Sequence, residues 1–173
     1  MFSSALLLFG LASAGGATAP IVAVHAASID TRLNYLVGDW AIQGVSSRIF
    51  HQKCSWYSGR AFVLCSFEDG RDSTVGQTIF GYSEQRKRFT YYRYDSRGRS
   101  LYQLGFPYGT YGLVFTDERQ EPDGLSRFQT TFNLEDEGLR YTQYRSVEGR
   151  DWQRTTDFRY VPLIAQRPPR KRR

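Results

Sequence analysis

Cys54-Ser-Trp-Tyr-Ser-Gly-Arg-Ala-Phe-Val-Leu-Cys65 is the stretch whose reading decides the fold. Two runs carrying aromatic and aliphatic residues flank Ser58-Gly59-Arg60, the composition of a strand, a tight turn and a second strand. The chain has only two cysteines, and they stand equally far from the Gly59–Arg60 bond. In an antiparallel hairpin that turns there, residues equidistant from the turn face each other on neighbouring strands. Opposed cysteines in that position lie within disulfide reach. A Cys54–Cys65 bond is therefore expected, and with it an oxidising compartment.

Outward from this hairpin the same texture continues. Turn clusters recur near residues 45–47, 69–72, 83–86, 95–98, 106–109, 122–124, 135–138 and 148–149, and no long helical period intervenes. The only helical signal is a short turn from Ile29 to Leu36. With 12 Tyr, 12 Phe and 3 Trp in 173 residues, the composition suits half-buried pleated surfaces. The fold class predicted is all-β, one antiparallel meander barrel of about ten strands, because an open sheet that wide would leave long unpaired edges. An immunoglobulin-type sandwich is the alternative. It normally carries a disulfide between its sheets, between strands distant in sequence, whereas this one closes a single hairpin.

Alternation assigns inward faces. Phe50, Gln52, Cys54 and Trp56 form the more apolar face of their strand. Phe128, Thr130, Phe132 and Leu134 share another face, with Arg127, Gln129, Thr131 and Asn133 opposite. Leu139, Tyr141 and Gln143 point inward from the next strand, and Trp152, Arg154, Thr156, Phe158 and Tyr160 from the last. The strand from Phe89 to Tyr94 is aromatic on both faces and gives no direction.

The two ends of the chain read differently from its body. Residues from Ala5 to Val24 are uncharged around an apolar centre at Ala5-Leu-Leu-Leu-Phe9, and Val24-His-Ala26 carries small residues where a signal peptidase reads. Residues 1–26 are thus expected to be a signal peptide cleaved before Ala27, with an uncleaved membrane anchor as the alternative. Residues 27–163 are then the barrel domain, and residues 164–173 a disordered basic tail. The formal charge of +6 is concentrated in that tail at Arg167, Arg170, Lys171, Arg172 and Arg173, which leaves the body nearly neutral. The protein is expected to be exported, periplasmic or secreted. The tail offers contact with an anionic envelope surface, and no nucleic-acid partner is expected.

Catalytic groups are sparse. His51 is the only histidine of the mature chain and shares its face with Lys53 and Ser55, so it reads as solvent-facing; neither a metal site nor a Cys–His nucleophile is expected. Acidic residues cluster in turns, and Asp157, the one mid-strand acid, alternates outward with Arg159. No glycine-rich phosphate loop is present. Arg154 stands out as a cation expected among Trp152, Phe158 and Tyr160. It either stacks on Trp40 to close one barrel end or meets an anionic ligand together with Tyr141 and Gln143. The loop Phe106-Pro-Tyr-Gly-Thr-Tyr111 is either an aromatic lid or a packed rim.

Leu36-Val-Gly-Asp-Trp40 resembles the glycine-x-tryptophan signature that opens the first barrel strand of lipocalins and other calycins. The fuller pattern adds Cys54-Ser-Trp56, Phe62-Val-Leu-Cys65, Gly81-Tyr82, Tyr91-Tyr92 and the run from Arg127 to Leu134. It resembles a family of exported bacterial proteins of unknown function with lipocalin-like barrels, over roughly Leu33 to Val161. Gly38 and Trp40 are the fold signature in that resemblance, which implies a barrel with a cavity and brings no settled activity. Nitrobindin-type haem barrels are similar in strand number, but they need a late histidine and none follows His51, so no cofactor is expected. The readings that follow are non-catalytic binding of a small, partly apolar or amphipathic ligand, with Trp56, Tyr111, Tyr141, Gln143 and Arg154 as its contacts; a side-chain-filled structural or envelope-interaction barrel; and, third, a tyrosine- and arginine-based isomerase or cyclase.

Overall fold

Ten antiparallel strands pair in chain order and close on themselves, so that the first strand bonds the last. The computed structural model describes residues 32–136 and 138–163. The expected signal peptide, its cleavage site, the first residues of the predicted helical turn and the basic tail lie outside the described residues. A 3-10 turn, η1 (Asn34–Leu36), leads into β1 (Gly38–Ile42), β2 (Phe50–Tyr57), β3 (Phe62–Asp69), β4 (Thr74–Ser83) and β5 (Arg88–Asp95). There follow β6 (Ser100–Pro107), β7 (Gly112–Glu121), β8 (Gly124–Glu135), β9 (Gly138–Val147) and β10 (Gln153–Pro162). Each predicted turn cluster falls at a strand connection. The closed meander holds and the sandwich does not.

Cys54 and Cys65 are register partners on β2 and β3 and are bonded to each other. Burial alternates along β2 as the sequence requires: Phe50, Gln52 and Cys54 are buried and Trp56 is half-buried. The interior is built of rows of residues paired across strands. Val63, Phe80, Tyr91 and Gln103 make one row, and Leu113, Phe132, Tyr141 and Phe158 another. Phe80 stacks on Tyr91 at 5.1 Å and meets Phe132 edge-on at 5.0 Å; Tyr141 stacks on Phe158 at 4.8 Å. Such offset and edge-to-face pairs add about 0.5–1.5 kcal/mol each beyond the area they bury.

One end of the barrel is closed by the N-terminal segment. Leu33 and Leu36 are fully buried there, and the Trp40 indole Nε1 donates to the Leu36 carbonyl at 2.9 Å. A Cβ on Gly38 would lie 3.3 Å from the Trp40 indole, and Gly38 has φ +151°, which is why a glycine stands two residues before this tryptophan. Arg32 donates to the carbonyls of Gly109 and Thr110 at 2.9 Å and ties the segment to the β6–β7 turn. The opposite end, where the loops 43–49, 70–73, 96–99, 122–123 and 148–152 gather, carries no such plug among the described residues.

Three placements read from the sequence are corrected. The register of β9 and β10 shifts between Arg154 and Thr156, a bulge that inverts the parity of everything before it. Thr156, Phe158 and Tyr160 keep the expected inward side. Arg154 instead lies on the outer surface, exposed and ion-paired with Asp157 at 2.6 Å, so it stacks on no tryptophan. Trp152 is likewise outside, 48% exposed. Leu134, expected inside, is exposed because β8 runs past the core at its end. Phe128 keeps the expected inward side but is only half-buried, under the guanidinium of Arg119.

Candidate functional site

The unplugged mouth contains a cavity of about 400 Å³. Its floor is aromatic, made by Tyr91, Tyr141, Phe158 and Tyr160, with Ile42, Phe50 and Leu101 on the walls. Gln143 and Thr156 add neutral polar groups from β9 and β10. The charged lining comes from β3 to β7 and their turns, with Asp69, Arg71, Asp95, Arg99 and Arg119 at the rim and Arg93 deeper, beside the floor tyrosines. Four arginines against two aspartates leave this lining with an excess of two positive charges.

Each rim aspartate is held by a neighbour in its own turn. Arg71 grips Asp69 in a fork, Nε to Oδ1 at 2.8 Å and Nη2 to Oδ2 at 2.5 Å. That hydrogen bonding, foremost, holds the Asp69 carboxyl below the ordinary carboxylate range. Burial acts to raise Asp95, whose side chain is 5% exposed, but bonds from Arg99 and the turn backbone outweigh it and keep the carboxyl low. Arg119 is ion-paired with Asp117 at 2.7 Å. Arg145, nearby on β9, is saturated by Glu121 and Asp123, each at 2.6 Å.

Arg93 differs. It points inward from β5 beside Tyr91, and no carboxylate of the described residues comes within ion-pair distance of it. Its guanidinium carbon lies over the Phe67 ring, 3.8 Å from the centroid. Burial raises the hydroxyl pKa of Tyr91, Tyr141 and Tyr160, and the nearby charge of Arg93 partly opposes the rise in all three. A permanent cation and three protonated phenols thus share one floor, a set of donors facing a pocket of small-ligand size.

Of the residues predicted to contact a ligand, Tyr141 and Gln143 line this cavity. Trp56 and Tyr111 sit at the plugged end instead. The Trp56 Nε1 donates to Asn34 Oδ1 at 3.3 Å, and Arg60 lies over its ring at 4.9 Å. Tyr111 is 51% exposed in the β6–β7 turn, so the loop from Phe106 to Tyr111 is no lid for the mouth. Sequence reasoning missed Arg93, Arg71, Arg99 and Arg119. Arg71 and Arg99 stood in turns; Arg93 stood on the strand whose aromatics on both faces hid its direction. His51 lies on the outer side opposite Glu68. A wider, shallow groove of about 960 Å³ runs between residues 43–46 and the β8–β9 turn, but among the described residues its only charged lining is Glu135 and Asp136.

No protein-family model matches the chain. No curated protein matches it either. The likeness to calycins therefore rests on the architecture: a closed ten-stranded antiparallel barrel with a glycine-x-tryptophan entry is compatible with that fold.

Proposed function

We propose that the protein binds a small, partly apolar molecule in the mouth of its barrel, without transforming it, outside the cytoplasm. The observation that carries this is the mouth cavity itself. It is open to one side, floored by aromatic rings and edged by convergent polar groups, the usual make-up of a ligand site. The bonded Cys54–Cys65 pair supports an oxidising, exported setting. In the same reading Arg167, Arg170, Lys171, Arg172 and Arg173 meet an anionic envelope surface, each contributing about 1 kcal/mol close to it.

Native mass spectrometry of the protein purified from its host's exported fraction tests the reading. Extra mass that leaves on denaturation is the expected result, and its value gives the ligand class. A bare polypeptide mass, together with no rise in melting temperature when an extract of small molecules is added, overturns it. That outcome favours the second reading, an interaction protein with a filled barrel. The packed rings of Phe80, Tyr91, Phe115 and Phe132, which already fill the middle of the barrel, speak for it.

A further inference from the structure

We infer that the mouth cavity takes an anionic amphiphile, its acid head on Arg93 and its apolar body against Phe50, Leu101 and Phe158; this rests on the binding reading above. The inference starts from charge pairing in and around the mouth. Arg71 has Asp69, Arg99 has Asp95, Arg119 has Asp117, and Arg145 has Glu121 and Asp123. Arg93 forms no ion pair with a carboxylate of the described residues and meets the charge of Asp69 only at longer range, although it is the arginine set among the floor tyrosines.

A guanidinium is charged at every accessible pH and is costly to withdraw from water without a counter-charge. The Phe67 face offsets part of that cost and the phenol oxygens of Tyr91 and Tyr160 accept from the guanidinium, but all three groups are neutral and supply no counter-charge. The hydroxyls of Tyr91, Tyr141 and Tyr160 stay protonated in the physiological range, and those of Tyr91 and Tyr160, whose oxygens accept from Arg93, each keep an O–H to donate. Donors in excess of acceptors, around a fixed cation, select an oxyanion over a neutral or cationic head. The walls then decide the rest of the molecule, because Ile42, Phe50, Leu101 and Phe158 offer only apolar surface. With about 400 Å³ available, the body is of one- or two-ring size, or a short chain. Carboxylate, sulfonate and phosphate monoester share the required chemistry.

Two fluorescent probes with nearly the same body separate the ideas: anilinonaphthalene sulfonate and the neutral N-phenyl-naphthylamine. The full chain is expected to bind the sulfonate at least about tenfold more tightly, the scale of a charge-assisted hydrogen bond in a desolvated site. Arg93→Met should bring the ratio of the two affinities down to about one, and Arg93→Lys should restore part of the preference. Equal affinities in the unaltered protein overturn the anion assignment and leave the proposed function standing. Failure of both probes to bind the folded protein overturns both. A preference that survives in a folded Arg93→Met protein overturns the assignment to Arg93. Should that variant not fold, displacement of the sulfonate from the unaltered protein decides. Naphthoate or naphthyl phosphate displacing it where naphthol does not supports the inference, and the better of the two names the head group. Equal displacement by naphthol overturns it.

Discussion

At the residue scale, the site depends on a contact three residues deep. Arg93 rests on Phe67, and Phe67 reaches its place only because residue 76 has no side chain. A Cβ on Gly76 would fall 2.4 Å from the Phe67 ring and 2.2 Å from the Tyr94 carbonyl oxygen. The ring is fully buried beneath Arg93, and the carbonyl belongs to the β4–β5 ladder and does not move without opening it. Gly76→Ala is accordingly expected to cost about 1–3 kcal/mol, in the manner of an overpacked core, read as a lowered urea midpoint. An unchanged midpoint would mean the ladder yields at no cost and that Phe67 is not pinned. Little of this was legible beforehand. A glycine in a strand announces a close approach but not by whom, and Arg93 lay between Tyr92 and Tyr94, so either parity gave an aromatic interior. Only the register decides. Phe89, Tyr91 and Arg93 turn inward, while Tyr92 stacks outside on Tyr94 and Tyr102.

At the scale of elements, the β2–β3 hairpin was the most legible part of the chain and β10 the least, for one reason. Side-chain direction has a period of two, so it propagates faithfully along an unbroken ladder and inverts at a single inserted residue. Between Phe50 and Asp69 the eight pairs run without a break, and both the inward set and the disulfide follow from counting away from Gly59. In β10 the bulge before Thr156 left Phe158 and Tyr160 on the side that alternation gave, and sent Arg154 and Trp152 outward. No composition rule marks a bulge built from Arg154, Thr155 and Thr156. The outward Arg154 then joins Arg140 around Asp157, an exposed cluster in which hydrogen bonding by Arg140, above all, holds the carboxyl below its ordinary range. The hairpin carries the second prediction. Closing an 11-residue separation restricts the unfolded chain, so replacing both Cys54 and Cys65 with Ala should cost about 2–3 kcal/mol while the ladder keeps the strand pairing. The observable is a lower urea midpoint with the far-ultraviolet dichroism of the folded state retained. Loss of the β signal would show that the bond is required for the hairpin to form.

At the scale of the whole molecule, the barrel is asymmetric along its axis. A hydrophobic plug of Leu33, Leu36 and Trp40 seals one end, a layer of rings fills the middle, and a charged rim opens the other. Closure was predictable from the number of strands and the absence of helices. Which end is open was not, because it depends on where η1 lands, and Arg32 and Asn34 fix that through contacts distant in sequence. The same architecture sets how the molecule responds to alkali. Tyr35, Tyr91, Tyr141 and Tyr160 have hydroxyls desolvated by the barrel, and burial is the largest influence raising each of them above the ordinary tyrosine value of 10.0. Below that value both folded and unfolded chains keep these phenols protonated, so their contribution to stability is complete. Above it the unfolded chain ionises and the folded chain resists, so stability falls as pH rises towards the elevated folded values. The rim aspartates act at the other extreme: Asp69 and Asp95 are lowered, and their contribution is lost only as pH falls below the ordinary carboxylate range. The fold is therefore expected to fail cooperatively in alkali, with these four of the 12 tyrosines ionising only as it opens. Ultraviolet absorbance of tyrosinate and near-ultraviolet dichroism, followed together through the titration, check this. A late rise in absorbance that coincides with loss of the dichroism is the expected outcome. Full ionisation with the dichroism intact would mean that water reaches the ring layer from the mouth, and that the floor of the cavity is not sealed.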